Sequence, residues 1–327
     1  MRVPSIGSRQ RSPSIDPLRP SPPGRTPRKP IWNRVALVAG GLVAGMMGVT
    51  AYAAMKVARR KGADGEEILP GGVFKRVQFH SIDGLRISGW FLPAVDASDV
   101  VVMCHGFKTG RREMLPLAMA LRDRGHHVLM FDFRGHGESE GSWVSCGALE
   151  DRDLEGAIRF LQRMPETQGL RIGVVGFSMG AAVAILAAAR LPEIAAVVSD
   201  SAFATLRQAI TNGFCSFTHL PKRPFVELIT WLGEKSLGIS VDQVRPLDAI
   251  IELSPRPVLL IHGTRDRIIP LSEAYLLYEA AGDAKELWTV AGADHVEARI
   301  IAFDSYLDRV DTFLKQHLAI TGEAAQL

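Results

Sequence analysis

The sequence predicts an α/β fold, a mostly parallel eight-stranded sheet flanked by helices. Three observations carry that expectation. Short apolar runs of buried-strand type recur along the chain, helical segments fill most of the intervals between them, and an antiparallel pair precedes them. With 327 residues, 47% of them hydrophobic, the chain is long enough for one large domain of this kind and an appendage. No repeat of fixed period interrupts the pattern.

Residues 1–34 form a tail rich in Pro and Ser, a composition expected to be disordered. The tail holds 8 Lys or Arg and the single acid Asp16, so of 38 basic and 35 acidic residues overall, 30 and 34 remain for the rest of the chain. The net charge of +3 therefore belongs to the tail, and the mildly acidic remainder makes no case for a nucleic-acid partner. Residues 35–55 carry no charge, and a helix of that length rises roughly 30 Å, about the thickness of a bilayer core. Basic residues flank the run, with Trp32 and Tyr52 near its ends, where aromatic rings suit a membrane interface. An uncleaved single-pass anchor is the preferred reading. Its rivals are a buried core helix and a secretory signal cleaved at Ala51-Tyr52-Ala53. The basic tail favours a cytoplasmic N-terminus with the domain on the outer side, partly offset by Lys56, Arg59, Arg60 and Lys61.

Residues 56–72 read as a polar linker, and the folded domain is expected over 73–318, with 319–327 as a second tail. Val73 to Phe79 and Leu85 to Leu92 are strands joined through Ser81-Ile82-Asp83-Gly84, an antiparallel hairpin. Val100 to Cys104, Val128 to Phe133, Ile172 to Phe177, Ile194 to Ser199, Val258 to Ile261 and Leu287 to Val290 follow as parallel strands. A parallel strand is covered on both faces, so its run stays apolar instead of alternating. Residues 203 to about 246 break the rhythm, with Phe214, Phe217, Phe225, Trp231 and Leu237 scattered among polar residues, and are expected to form a small helical cap. Its aromatic residues suit either a core of its own or an acyl-binding wall. Cys104, Cys146 and Cys215 have spacings that fit neither a disulfide framework nor zinc and are expected as core or surface thiols.

One strand end carries chemistry. Gly176-Phe177-Ser178-Met179-Gly180 lies between the run ending at Val175 and an alanine-rich helix over Ala181 to Arg190, the setting of a strand-to-helix nucleophile elbow. The two glycines permit a sharp reversal and close packing, leaving the Ser178 hydroxyl raised at the edge of the sheet. A serine hydroxyl is a poor nucleophile at neutral pH. It needs a base, a group that orients the base, and donors for the oxyanion. His295 in Gly292-Ala293-Asp294-His295 and Asp266 in Gly263-Thr264-Arg265-Asp266 follow the last two strands. In an open α/β sheet those strand ends share one crevice with Ser178. His105-Gly106-Phe107 follows the strand ending at Cys104, so the backbone N–H groups of Phe107 and Met179 are the expected oxyanion donors.

From about Val73 to Leu318 the chain resembles α/β-hydrolase-fold serine hydrolases, most closely bacterial membrane-anchored members near the serine aminopeptidase and monoacylglycerol-lipase-like families. The resemblance rests on His105-Gly106-Phe107, on Asp132-Phe133-Arg134-Gly135-His136-Gly137-Glu138-Ser139, on the elbow, and on the two loops holding Asp266 and His295. It implies Ser178 as nucleophile, Asp266 as acid, His295 as base, and Phe107 with Met179 as oxyanion hole. The function it implies is hydrolysis of a small-molecule acyl ester through an acyl-enzyme, with an amide (a peptidase) or a thioester as alternatives. A catalytically silent, membrane-tethered binding module on the same fold is the rival from another class.

Other residues have plainer readings. Asp200 in Ser199-Asp200-Ser201 competes with Asp266 for the acid but sits in the less diagnostic loop. Asp294 reads as a turn residue, and His105 and His136 as loop fasteners. No cluster of His, Cys and carboxylates has metal-ligand spacing, and the glycines of the apolar span never fall at G-x-G-x-x-G spacing, so neither a metal nor another cofactor is expected.

Overall fold

In the computed structural model eight strands form one sheet. They are β1 (Lys75–His80), β2 (Arg86–Leu92), β3 (Asp99–Cys104), β4 (His127–Phe131), β5 (Arg171–Phe177), β6 (Ile194–Asp200), β7 (Val258–Gly263) and β8 (Lys285–Val290). Their order is β8-β7-β6-β5-β3-β4-β2-β1. β2 runs antiparallel to both β1 and β4, and all other pairings are parallel. The expected architecture is thus the observed one. The structure describes residues 74–319 continuously and, before them, only positions 40, 41, 44–49, 52, 56, 59, 61 and 62. The tails at 1–34 and 320–327, and most of the expected anchor (35–55) and linker (56–72), lie outside the described residues. Among the described residues no helix is long and apolar enough to cross a membrane.

The apolar runs are explained by burial on both faces. Val101 and Met103 of β3 point into one core, Val100, Val102 and Cys104 into the other, and all five are fully buried. α1 (Leu115–Asp123) and α7 (Phe303–Leu318) cover the first face with Leu117, Leu121, Val310, Phe313 and Leu314. α2 (Asp151–Arg163) and α3 (Met179–Arg190) cover the second, joined by Leu277 of α6 (Leu271–Ala280). α3 is built of Ala181, Ala182, Ala184, Ala187 and Ala188 around Val183 and Ile185, small enough for its axis to lie close under β5.

Several strand ends shift by one or two residues from expectation, and two of the shifts have a clear physical reason. β4 stops at Phe131 because the next residues leave the ladder: Phe133 N–H donates to His105 Nε2 (3.0 Å) and Arg134 N–H to Asp153 (2.9 Å). β8 begins at Lys285, since Lys285 and Glu286 pair with Val258 and Leu259 although neither is apolar. An edge strand half-covered by protein needs no continuous apolar run.

Between β6 and β7 lie α4 (Leu206–Phe217) and α5 (Lys222–Leu237). Thr205 caps α4 by accepting from Gln208 N–H, and Gly238, left-handed at φ 64°, ends α5. Phe214 and Phe225 stack at 6.1 Å, whereas Phe217 and Trp231 are 77% and 54% exposed.

Candidate active site

The site lies where neighbouring strands depart to opposite sides. β3 is flanked by β4 on one side and β5 on the other, so the loops leaving their C-terminal ends open a crevice between them. Cys104 stands opposite Gly176 and Phe177 opposite Asp200, which sets the loop beginning at His105 and the one following Asp200 on either side of Ser178.

Ser178 has φ 52° and ψ −112°, a left-handed conformation that a non-glycine residue holds only under restraint. Three backbone hydrogen bonds restrain it. Its N–H donates to Asp200 O (2.8 Å), and its carbonyl accepts from Ala181 N–H (3.0 Å) and Ala182 N–H (3.1 Å). The flanking glycines are dictated by space: a Cβ on Gly176 would strike the backbone of Gly180, and one on Gly180 would strike the carbonyls of Cys104 and His105. The turn therefore packs backbone against backbone on both sides of the serine.

The three side chains expected to cooperate form one hydrogen-bonded chain. His295 Nδ1 lies 2.7 Å from Asp266 Oδ2 and its Nε2 lies 2.8 Å from Ser178 Oγ. A carboxylate only accepts, so the imidazole proton sits on Nδ1 and Nε2 is free to accept from the serine hydroxyl. Burial opposes ionisation of Asp266, but hydrogen bonds from His262, His295 and the Ile269 amide outweigh it and hold the carboxyl well below the usual carboxylate range. Its Oδ1 accepts from the N–H groups of Ile268 (2.9 Å) and Ile269 (2.8 Å). Asp266 is thus held as an anion.

Asp200 is placed differently. Fully buried, it accepts from Ser201 Oγ (2.8 Å) and Tyr306 OH (3.0 Å), and burial pushes its carboxyl up to about 6 despite those bonds. It supports the floor of the site: Ser201 Oγ in turn accepts from Val296 N–H, beside His295. Asp294 does more than turn the chain. It accepts from the N–H groups of Arg267 (3.0 Å) and His295 (2.8 Å) and from Arg267 Nε (2.6 Å), clamping the Asp266 loop to the His295 loop.

His105 and His136 fasten loops, as expected. His105 is buried, accepts from Phe133 N–H through Nε2 and reaches Gly106 O through Nδ1 at 2.7 Å. Burial, together with the neighbouring His105, drops His136 to about 3, and the neutral ring accepts from Lys108 N–H. In the Asp132–Ser139 segment, Arg111 meets Asp132 at 2.6 Å and Arg134 meets Asp153 at 2.7 Å. Those buried ion pairs shape the loop beside the crevice and are remote from Ser178 Oγ in the bonding network. The N–H groups of Phe107 and Met179 have no protein acceptor among the described residues. The loop holding Gly106 passes the Phe177 carbonyl, next to the elbow.

Several residues of the site escaped sequence reading. His262, at the end of β7, donates from Nε2 to Ile269 O (2.8 Å) beneath Asp266, and its signal was a histidine on the strand that feeds the acid loop. Glu113 and Arg299, described below, carried no signal at all.

Known proteins agree with this architecture. The pattern of the family described as "Serine aminopeptidase, S33" matches residues 96–238. The chain is 30% identical over 229 residues to the uncharacterized protein YfhR of Escherichia coli O157:H7, covering 68% of this chain and 73% of that one. It is 29% identical over 233 residues to the uncharacterized protein YqkD of Bacillus subtilis, covering 71% and 76%. Among solved structures, the Pyrococcus furiosus esterase Pf2001 aligns with a TM-score of 0.66 and 29% identity over 79% of this chain and 99% of that one. By sequence relationship, sheet order and structural likeness, this chain belongs to the α/β-hydrolase family and is an esterase-like serine hydrolase.

Proposed function

We propose that the protein cleaves carboxylic esters of small molecules through an acyl-enzyme intermediate, while anchored in a membrane by its N-terminal apolar run. One observation carries the chemistry: the hydrogen-bonded chain from Ser178 Oγ through His295 to Asp266. Ser178 Oγ attacks the carbonyl carbon and its proton passes to His295 Nε2, while Asp266 stabilises the resulting imidazolium. The oxyanion is received by the N–H groups of Phe107 and Met179. As the tetrahedral species collapses, the ester C–O bond breaks and His295 returns the proton to the departing alkoxide. Water then repeats the sequence in reverse, giving its proton to Nε2, releasing the acid and restoring the serine hydroxyl.

Likeness to the Pyrococcus furiosus esterase favours an ester substrate, and the aminopeptidase description of the matching family supports a peptidase as the second reading. A panel of acyl esters of graded chain length beside acyl thioesters and aminoacyl amides separates them by kcat/KM. A fluorophosphonate probe is expected to label Ser178, and Ser178→Ala to lower turnover by roughly 10⁴-fold with the fold intact. Near-normal esterase activity in that variant would overturn the assignment, and a folded wild-type protein that resists the probe would point to a silent binding module. The uncharged run at 35–55, flanked by basic residues, supports the anchor, with the N-terminus cytoplasmic and the domain on the outer side. Carbonate washing should leave the protein in membranes; a released chain beginning near Ala54 would mean a cleaved signal.

A further inference from the structure

The loop after β3 is held by more than its own turn. Glu113 lies in the 3₁₀ turn Arg111–Met114 that precedes α1, and its Oε2 accepts from Gly106 N–H at 3.1 Å and lies 2.6 Å from Thr109 Oγ1. Its other oxygen, Oε1, meets Arg299 Nη2 at 3.1 Å. Arg299 sits just past His295, in the short helical turn Ala298–Ile301, with its guanidinium over the Phe177 ring at 4.9 Å. Glu113 and Arg299 are only 17% and 18% exposed, so the pair is largely shielded from solvent. One carboxylate therefore grips the loop before Phe107 with one oxygen and the loop after His295 with the other.

The consequence for the Gly106–Phe107 peptide is geometric. Gly106 O is held by His105 Nδ1 at 2.7 Å, with Thr109 Oγ1 at 2.8 Å. Because His105 Nε2 accepts from Phe133 N–H, its proton is on Nδ1 and donates to that carbonyl. In a trans peptide the C=O and N–H of one unit point in opposite directions. Holding Gly106 O towards His105 therefore aims Phe107 N–H the other way, and pinning Gly106 N–H to Glu113 fixes the preceding peptide as well. We infer that Glu113 is a positioning residue for the oxyanion donor at Phe107, braced by Arg299 so that the donor loop and the His295 loop keep one spacing. The inference rests on the acyl-enzyme reading above, and it assigns to Glu113 no contact with substrate.

An oxyanion donor acts in the transition state and not on the bound ester, so its misplacement separates kcat from KM. The test compares wild type, Glu113→Ala, Glu113→Gln and Arg299→Gln on p-nitrophenyl butyrate, with inhibition by an aryl trifluoromethyl ketone, whose adduct with the serine carries the oxyanion. Glu113→Ala is expected to lower kcat roughly 10- to 100-fold, less than the loss of a whole donor, with KM within about twofold of wild type. The ketone should weaken by the same factor as kcat. Glu113→Gln keeps an acceptor for Gly106 N–H and should recover most of the loss; Arg299→Gln should cost a few-fold. If kcat and ketone affinity stay at wild-type levels while only the melting temperature falls, Glu113 is merely structural and the inference fails. Should Glu113→Ala not fold, Arg299→Gln alone decides: unchanged kcat and ketone affinity there would overturn the inference of braced positioning. A wild-type protein inert to both ester and fluorophosphonate would overturn the acyl-enzyme reading and this one together, whereas an active wild type with an unaffected Glu113→Ala sinks this one alone.

Discussion

His295 at the C-terminal edge of the sheet and His126 at its N-terminal edge are both held by aspartates, yet their surroundings give them opposite characters. His295 is bonded to one carboxylate and one hydroxyl, and its side chain keeps 17% of its surface in contact with solvent. His126 is 1% exposed and lies between two carboxylates, with Nδ1 2.6 Å from Asp99 and Nε2 2.9 Å from Asp311. Burial disfavours its charged form, but the hydrogen bonds and charges of Asp99 and Asp311 outweigh burial and raise its pKa. A ring with a carboxylate on each nitrogen has its charged form favoured, and it ties the starts of β3 and β4 to α7. A ring with an acceptor on one side and a hydroxyl on the other retains a free lone pair, which proton transfer requires. Similar residues thus make a brace at one end and a candidate base at the other, and the number of carboxylates decides which.

The largest expected effect tests the acid at the C-terminal edge. Asp266→Asn should lower kcat roughly 10³- to 10⁴-fold, because the amide no longer fixes the Nδ1 proton or stabilises the imidazolium. Asp200→Asn, which keeps the shape of the buried site and removes a carboxyl already pushed up to about 6, should lower kcat less than about tenfold. A reversal of these two magnitudes would make Asp200 the acid and dissolve the contrast.

At the other edge the effect should appear in stability and spare turnover. His126→Gln leaves Asp99 and Asp311 facing each other and should cost about 3 kcal/mol, the usual scale for breaking a buried pair. For a domain of this size that is a fall of roughly 6–12 °C in melting temperature. The groups around the ring are Asp99 from β3, Arg124 from the turn before β4, and Asp308, Asp311 and Lys315 from α7. A histidine whose pKa is raised by folding contributes stability that is full below its unfolded value and fades as pH rises through the folded one. Asp311, whose pKa is lowered, contributes above its unfolded value and fades as pH falls. The brace should therefore be strongest in weakly acidic solution, and His126→Gln should flatten the loss of stability that begins as pH rises past the ordinary histidine value of about 6.5. An equal pH slope in variant and wild type, followed by urea unfolding, would show that the ring carries no such charge.

The same contrast explains what the sequence makes legible. β3, β5, β6 and β7 could be read because burial on both faces forces continuous apolar runs, and the elbow because only glycine fits where backbone meets backbone at 176 and 180. Asp266 and His295 were legible as strand-end residues in a fold that gathers strand ends. β8 was read two residues short because Lys285 and Glu286 are polar residues on an edge strand. Glu113 lies in Arg111-Arg112-Glu113-Met114, which reads as a charged surface run, and its partner Arg299 is 186 positions away. His126 likewise meets Asp311 across 185 positions. Local pattern reports what a residue's own element requires; these three are defined by partners that only the folded chain brings near.

The smallest expected effects separate the backbone clamp from its charge. Asp294 accepts from two main-chain N–H groups, and its exposed ion pair with Arg267 is incidental to them. Arg267 is 85% exposed, so its charge should contribute between about 0 and 1 kcal/mol. Arg267→Gln retains the amide N–H that Asp294 holds and should leave kcat within about twofold of wild type. Asp294→Ala leaves the amides of Arg267 and His295 without their acceptor and should lower kcat roughly three- to tenfold, with little change in stability. Steady-state kinetics on one ester at low and high salt reads both: the Asp294→Ala loss should persist in high salt, because a hydrogen bond to a main-chain amide is not screened as a surface ion pair is. If Arg267→Gln instead matches Asp294→Ala, and salt reproduces the loss in wild type, the charge and not the clamp sets the spacing of the Asp266 and His295 loops.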